Sequence, residues 1–177
     1  NDGFNDLILA AGLDWRQVAM LRACCKYLLQ TGVPFSQAYM EQTLCKYPLH
    51  ARLLVELFEA KFDPAREQPS RTVADAARKR MARELAPLFG EEIESIGAVR
   101  GEARERQVEA AVKAIGAVMA SVESVDEDRI LRSFMAVIRA CLRTSFYQLH
   151  DGRPREVVSY KLDPSKLPDL PKPRPYR

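Results

Sequence analysis

The chain is poor in the residues that usually announce an active site. Its eight glycines fall in no Gly-x-Gly-x-x-Gly or Walker-type run, so no phosphate-cradling loop is legible. Histidine is scarcer: His50 and His150 lie far apart, and neither has a nearby serine or cysteine that spacing alone would nominate as a nucleophile. A surface histidine is the plainer account of each. No acidic pair stands out as general acid and base. The four cysteines, Cys24, Cys25, Cys45 and Cys141, form no Cys-x-x-Cys or Cys/His set, which argues against zinc and for buried free thiols in a reducing cytoplasm. No apolar run approaches the ~20 residues that span a bilayer, and no signal peptide opens the chain. Neither sign of charge dominates, with 27 Lys and Arg against 24 Asp and Glu. A net charge of +3 does not by itself mark a nucleic-acid binder. The sequence therefore predicts no catalytic, cofactor-binding or metal-binding residue of its own.

What the chain has instead is helix. Asp14 is a good N-cap and Gly32 a good stop for a helix over 15–31. Pro34 and Ser36 open a second that ends before Pro48. A third runs over 49–62, with Ala51, Val55, Phe58 and Phe62 as its stripe, and Asp63-Pro64 ends it. A short fourth is predicted over 4–11. Residues 1–63 thus read as an aromatic-rich helical cluster. The composition then shifts. Residues 64–125 are rich in Ala, Glu and Arg and poor in aromatics. Thr72 with Asp75 resembles a capping box, and a helix would follow to about Phe89. Beyond Gly97 and Gly101, the residues Val108, Val112, Ile115, Met119 and Val122 repeat at coiled-coil-like spacing. This predicts a helical hairpin or arm. Its apolar groups are few, so it is expected to lean on another subunit or domain.

The clearest amphipathic segment covers 126–150. Ile130, Leu131, Phe134, Val137, Ile138, Cys141, Leu142 and Ser145 share a face, and Phe134 and Ile138 are its expected core anchors. Asp126, Glu127 and Asp128 suit the positive end of the helix dipole. His150-Asp151-Gly152-Arg153-Pro154 is a turn, and 157–162 is the one good strand. A lone strand is not stable in water, so its partner is expected beyond residue 177. The tail, 163–177, is proline-studded and expected to be extended. With no methionine at its start and a spacer at its end, the chain reads as a piece of a longer protein.

Two basic features remain. Arg78-Lys79-Arg80 with Arg83 is offset by Asp75, Glu84 and the acidic run at 91–94, and reads as a solvated helix face. Arg132, Arg139 and Arg143 line up on the helix predicted over 126–150 and form a candidate interface for an acidic surface. Pro168-x-x-Pro171 could engage an SH3-type groove, but Lys166 lies one residue too close for the usual pattern, so a rigid spacer is the better reading.

Three stretches carry a resemblance. They are Phe4-Asn-Asp-Leu-Ile-Leu-Ala-Ala-Gly-Leu-Asp-Trp-Arg-Gln-Val-Ala-Met-Leu-Arg-Ala-Cys-Cys-Lys-Tyr-Leu-Leu-Gln30; Asp128-Arg-Ile-Leu-Arg-Ser-Phe-Met-Ala-Val-Ile-Arg-Ala-Cys-Leu-Arg-Thr-Ser-Phe-Tyr-Gln148; and Ser159-Tyr-Lys-Leu-Asp-Pro-Ser-Lys-Leu-Pro-Asp-Leu-Pro-Lys-Pro-Arg-Pro175. Together they resemble signature blocks of the large bacterial NAD-specific glutamate dehydrogenases, in the family's order. Residues 64–125 carry no such block. The resemblance implies a very long parent that oxidises L-glutamate to 2-oxoglutarate and ammonium, with NAD as hydride acceptor. It implies a regulatory region upstream and a catalytic part beginning just after Arg177. The family's catalytic lysine and dinucleotide loop belong to that downstream part, so no residue here inherits either role.

The expected fold is all-α: a multi-helix bundle with a helical hairpin arm, one C-terminal strand and a proline-rich tail. The expected partners are the downstream catalytic domain and upstream regulatory region of the same chain, in a cytoplasmic homo-oligomer without nucleic acid or membrane. A helical adaptor, using its arginine face on nucleic acid or an acidic protein, is the alternative.

Overall fold

A computed structural model describes residues 2–66, 71–90, 104–167 and 170, and within the helix at 71–89 the side chains of 76, 79, 80 and 82–89. It is mostly helical with a few short strands. A 3-10 turn, Gly3–Asp6, leads into α1 (Leu7–Ala10). Helix α2 (Trp15–Gln30) starts where the sequence predicts. Asp14 Oδ1 accepts the N–H groups of Arg16 and Gln17 at 2.8 Å, and Gln17 Oε1 accepts Asp14 N–H at 2.9 Å. Beyond its last turn Gly32 takes φ +78°, a left-handed conformation that costs glycine nothing. Ser36 caps α3 (Gln37–Lys46), and Pro48 begins α4 (Pro48–Phe62), where its missing N–H is no loss.

Helix α4 is the centre of the molecule. Eleven of its fifteen residues are buried, so it is covered on all sides rather than along one stripe. Helices α3, α6 (Arg104–Val118) and α7 (Val125–Ala140) pack around it. Helix α6 runs antiparallel to α4: Arg104 binds the carbonyls of Lys61 and Asp63, while at the other end His50 Nε2 lies 3.0 Å from Val118 O. Ala111 and Ile115 are buried at this seam. Of the two supports expected for this arm, another subunit or another domain, α6 has the second, α4 of the 1–63 cluster. Its small Ala111 lets it lie close against α4, and the partner it needs is in its own chain. Helix α5 (Arg71–Phe89) is anchored at its C-terminal end by buried Leu85 and Phe89. It begins before Thr72, so that residue does not precede the helix as a cap would. Gly97, Gly101 and the acidic run at 91–94 lie outside the described residues, as do the side chains of Thr72, Asp75 and Arg78.

Phe134 and Ile138 are buried as expected, at 0% and 1% exposure. The helix that carries them is shorter than predicted. Ser124 caps it, with the acids 126–128 in its first turn, and it stops at Ala140. Lys61 Nζ donates to the carbonyls of Ile138, Arg139 and Cys141 at 3.1, 2.8 and 2.7 Å. Asp163 N–H donates to Ala140 O at 2.8 Å. These donors satisfy the orphan carbonyls of the helix end. The chain then turns into β1 (Cys141–Thr144), which pairs antiparallel with β4 (Tyr160–Leu162). Cys141 faces Leu162 and Thr144 faces Tyr160, with a bulge between Cys141 and Arg143. This corrects two expectations: the helix does not reach residue 150, and the C-terminal strand finds its partner inside the chain. The partner was hidden because an apolar face at helical spacing continues through Cys141, Leu142 and Ser145.

Between these strands, β2 (Leu149–His150) and β3 (Arg153–Pro154) form a small hairpin. Its two-residue turn, Asp151-Gly152, has both residues at positive φ, as a twist-compatible hairpin turn requires. Phe146 and Tyr147 fold back onto Phe58, at ring-centroid distances of 5.2 and 6.3 Å, and so tie the ribbon to α4. The start of the tail is also docked rather than extended. Asp163 caps a 3-10 turn, Pro164–Lys166, and Leu167 is buried. Residues 168, 169 and 171–177 lie outside the described residues.

Candidate functional site

The three arginines expected to form one surface do not share an element. Arg132 lies on α7, exposed, with Nε 2.7 Å from Asp128 Oδ2. Arg139 is exposed in the last turn of that helix. Arg143 has left the helix and faces Lys161 across the ribbon. The helical stripe is therefore corrected, because its alignment depended on a helix that continued past Ala140. The two histidines also part company. His150 is exposed, but His50 is buried, at 3% exposure, between Tyr47 and α6. An apolar helix with neighbours on all sides leaves it no surface to occupy.

The sequence reading missed a cluster of charge inside the core. Glu56 is fully buried. Its Oε1 accepts from Arg52 and its Oε2 from Arg66, each at 2.9 Å. Arg66 also pairs with Glu59, whose other oxygen accepts from Gln17 at 2.6 Å. Arg52 reaches on to Gly12 O at 3.2 Å. Acids and bases thus neutralise one another across the joint between α2, α4 and the segment after α4. A buried charge is tolerated only when paired and hydrogen-bonded, and this network meets that condition at Glu56. The signal was present in the sequence, since Arg52, Glu56 and Glu59 are spaced four and three apart. Such spacing is far commoner on solvated helix faces.

A second set of polar groups fixes the end of α3 to the start of α7. Glu127 accepts from Lys46 Nζ at 2.8 Å through both oxygens and from Tyr47 Oη at 2.7 Å. The Lys46 hydrogen bond, then that of Tyr47, holds the Glu127 carboxyl below the usual carboxylate range. Burial pushes the Cys24 and Cys141 thiols up, and Cys25 to about 11. None of these is poised as a thiolate nucleophile. Lys61 is shifted down by burial, and its nitrogen is committed to three carbonyls at the end of α7. Among the described residues no group of three or more His, Cys, Asp or Glu is placed to hold a metal ion, and no helix is long and apolar enough to cross a membrane.

The described strands do not form the parallel strand, tight turn and helix of the doubly-wound dinucleotide fold. Here the strands are two antiparallel ribbons. The clusters at Glu56 and Glu127 each tie one helix to a neighbouring element.

Comparison with known proteins places the chain. Residues 1–64 match the family model described as glutamate dehydrogenase, helical motif 3. Residues 114–177 match the one described as bacterial NAD-glutamate dehydrogenase, catalytic domain. That second match takes in residues that the sequence reading set before the catalytic part. Three curated proteins named NAD-specific glutamate dehydrogenase are similar over 98–99% of the chain. The protein from Mycobacterium tuberculosis is 38% identical, that from Halomonas elongata 37% and that from Pseudomonas aeruginosa 35%. The chain spans about 9% of the length of each of these relatives.

Proposed function

The chain belongs to the family of NAD-specific glutamate dehydrogenases, and from that premise we propose that it is the helical segment by which a very long parent joins its regulatory region to its catalytic part. The parent's reaction would be the oxidation of L-glutamate by NAD and water to 2-oxoglutarate, ammonium and NADH. The cofactor, the catalytic lysine and the substrate would be held elsewhere in the parent, and this segment would have no active site of its own. Its work is positional. Helix α7 and the β1–β4 ribbon set where the chain leaves the helical body, and Leu167 pins the first turn of the departing segment.

The observation that carries this reading is the core itself. Elements from both matched segments, α4 from the first and α7 from the second, are packed together in one core. Exposed Leu9, Trp15 and Val157, at 81%, 67% and 82% exposure, offer apolar surface to other regions of the parent or to a second copy in a homo-oligomer. Four free cysteines suit a cytoplasmic setting. The alternative, an adaptor using Arg132, Arg139 and Arg143 on nucleic acid or an acidic protein, loses its common helix face once Arg143 lies on β1.

Calorimetry tests the proposal directly. NAD titrated into the 177-residue chain should give no saturable heat, while the full-length parent should bind NAD and produce NADH from glutamate. One saturable site per 177-residue chain at micromolar affinity would overturn the assignment of cofactor binding to other regions.

A further inference from the structure

A cleft of about 360 Å³ lies between the C-terminal end of α2, the loop after it, α7 and the start of the tail. Its volume falls in the ~300–1,000 Å³ range of small-molecule pockets. Arg129, Arg132, Ser133 and Ala136 supply one wall. They are spaced three and four apart, which places them on one face of α7. Val33, Pro34 and Phe35 supply the opposite wall, and Leu28 lies at the end of α2. The tail residues Leu167 and Leu170 close one end.

Among the described lining residues the ionised groups are two guanidiniums, and none is a carboxylate. Asp128 takes the Nε of Arg132, at 2.7 Å, which leaves the forked terminal nitrogens for a second acid. Asp126 is 4.0 Å from Arg129, the outer limit of an ion pair, and the Arg129 guanidinium sits 5.5 Å over the Phe35 ring. The lining hydroxyls are spent on backbone: Thr31 donates to Leu28 O at 2.7 Å and Ser133 to Arg129 O at 2.8 Å. The remaining side-chain donors are therefore cationic. Ala136 adds room, since a larger side chain at that point of α7 would fill the space.

We propose that this cleft binds a small organic anion: a carboxylate on an apolar or aromatic body, the acid group held between Arg129 and Arg132 and the body against Leu28, Phe35 and Leu167. The size of the cleft selects a small molecule over a folded partner. An occupant would touch both α7 and the segment by which the chain leaves the helical body. The inference does not depend on the parent's reaction, and its readout is binding rather than turnover.

The test uses 4-phenylbutyrate as probe, titrated by calorimetry into the full-length chain that carries this segment. One saturable site should be abolished or weakened by about tenfold or more, a loss of ~1.4 kcal/mol, in the double variant Arg129→Gln/Arg132→Gln. The neutral analogue 4-phenylbutan-1-ol should lose a similar factor against the native protein. Ala136→Leu, checked for an unchanged melting curve, should abolish binding. Arg139→Gln, on the same helix but outside the cleft, should leave the affinity unchanged. Equal affinity of the native protein and the double arginine variant would overturn the proposal, as would the absence of a saturable site or equal binding of acid and alcohol. None of those results would bear on glutamate oxidation by the parent.

Discussion

Replacing Glu56 with glutamine isolates the buried charge network from everything else that holds α4. The side chains are nearly equal in volume, so no cavity is made. The change is electrical. Each carboxylate oxygen of Glu56 now accepts from a different guanidinium at 2.9 Å. An amide keeps one acceptor and turns the other into a donor. Whichever way it is turned, one arginine meets an N–H instead of an oxygen, at a site where Glu56 has no exposure to water. Arg66 has Glu59 as a second acid, whereas Arg52 has the Gly12 carbonyl at 3.2 Å and a buried Nε without a partner. Removing one member of a buried pair typically costs ~3–5 kcal/mol. The surviving Arg66–Glu59 pair puts the expectation at the low end, about 3 kcal/mol. For a chain of this size each kcal/mol moves the midpoint by about 2–4 °C, so Glu56→Gln should melt roughly 6–12 °C lower. Far-UV circular dichroism against temperature and denaturant measures this. Arg80→Gln is the control, because the Arg80–Glu84 pair lies in water at 76% and 55% side-chain exposure, and its midpoint should not move. If Glu56→Gln unfolds at the native midpoint with an unchanged denaturant slope, the buried charges contribute nothing net and the reasoning fails.

Three further outcomes follow from the same structure. Phe134→Ala should lose ~3–5 kcal/mol by denaturant unfolding, because Phe134 has 0% exposure; an unchanged midpoint would mean that α7 is not packed as described. Amide hydrogen exchange in the 177-residue chain should be slow across the β1–β4 ladder and at Asp163, whose N–H reaches Ala140 O, and fast at the Asp151-Gly152 turn. Glu127 has its folded pKa lowered, chiefly by Lys46, so its contribution is present above the unfolded carboxylate value, about 4.3, and is lost as pH falls through the folded pKa. A pH series of unfolding curves should therefore show Glu127→Gln less stable than the native chain at neutral pH and level with it in strong acid.

Two helix beginnings were legible because caps are local: Asp14 and Ser36 act within a few residues of themselves, and each sits where its chemistry predicts. The end of α7 was not legible, because what ends it is distant in sequence. Lys61 is about eighty residues away from the carbonyls it caps, and Asp163 more than twenty. Periodicity reports which side chains would share a face if the helix continued; it does not report which donors wait at its end. The same limit explains His50 and Glu56. Burial on every side of α4 is supplied by α3, α6 and α7, so a polar residue there looks like a surface residue until its neighbours are placed. Of the cleft, Arg132 was legible as a basic group on α7. Ala136 and the opposing Phe35 carry no signal, since an alanine in a helix and an aromatic after a proline have many commoner uses.

The two family matches end and begin on either side of residues 65–113, and that gap in sequence does not correspond to a gap in the core. Helix α4 closes the first match, and α7 lies in the second. Around α4 the second match supplies α7 and the last turn of α6, which accepts a contact from His50. Around α7 the first match supplies α2, α3 and the Lys61 ammonium that terminates the helix. Each segment alone would expose the face that the other covers, and α7 alone would leave its last carbonyls without a donor. Burial of apolar surface is favourable at ~25 cal/mol per Å², and α4 is buried on all sides only when both segments are present. Among the described residues the hydrophobic core therefore draws on both matched segments, across the boundary between a helical motif and a catalytic-domain model.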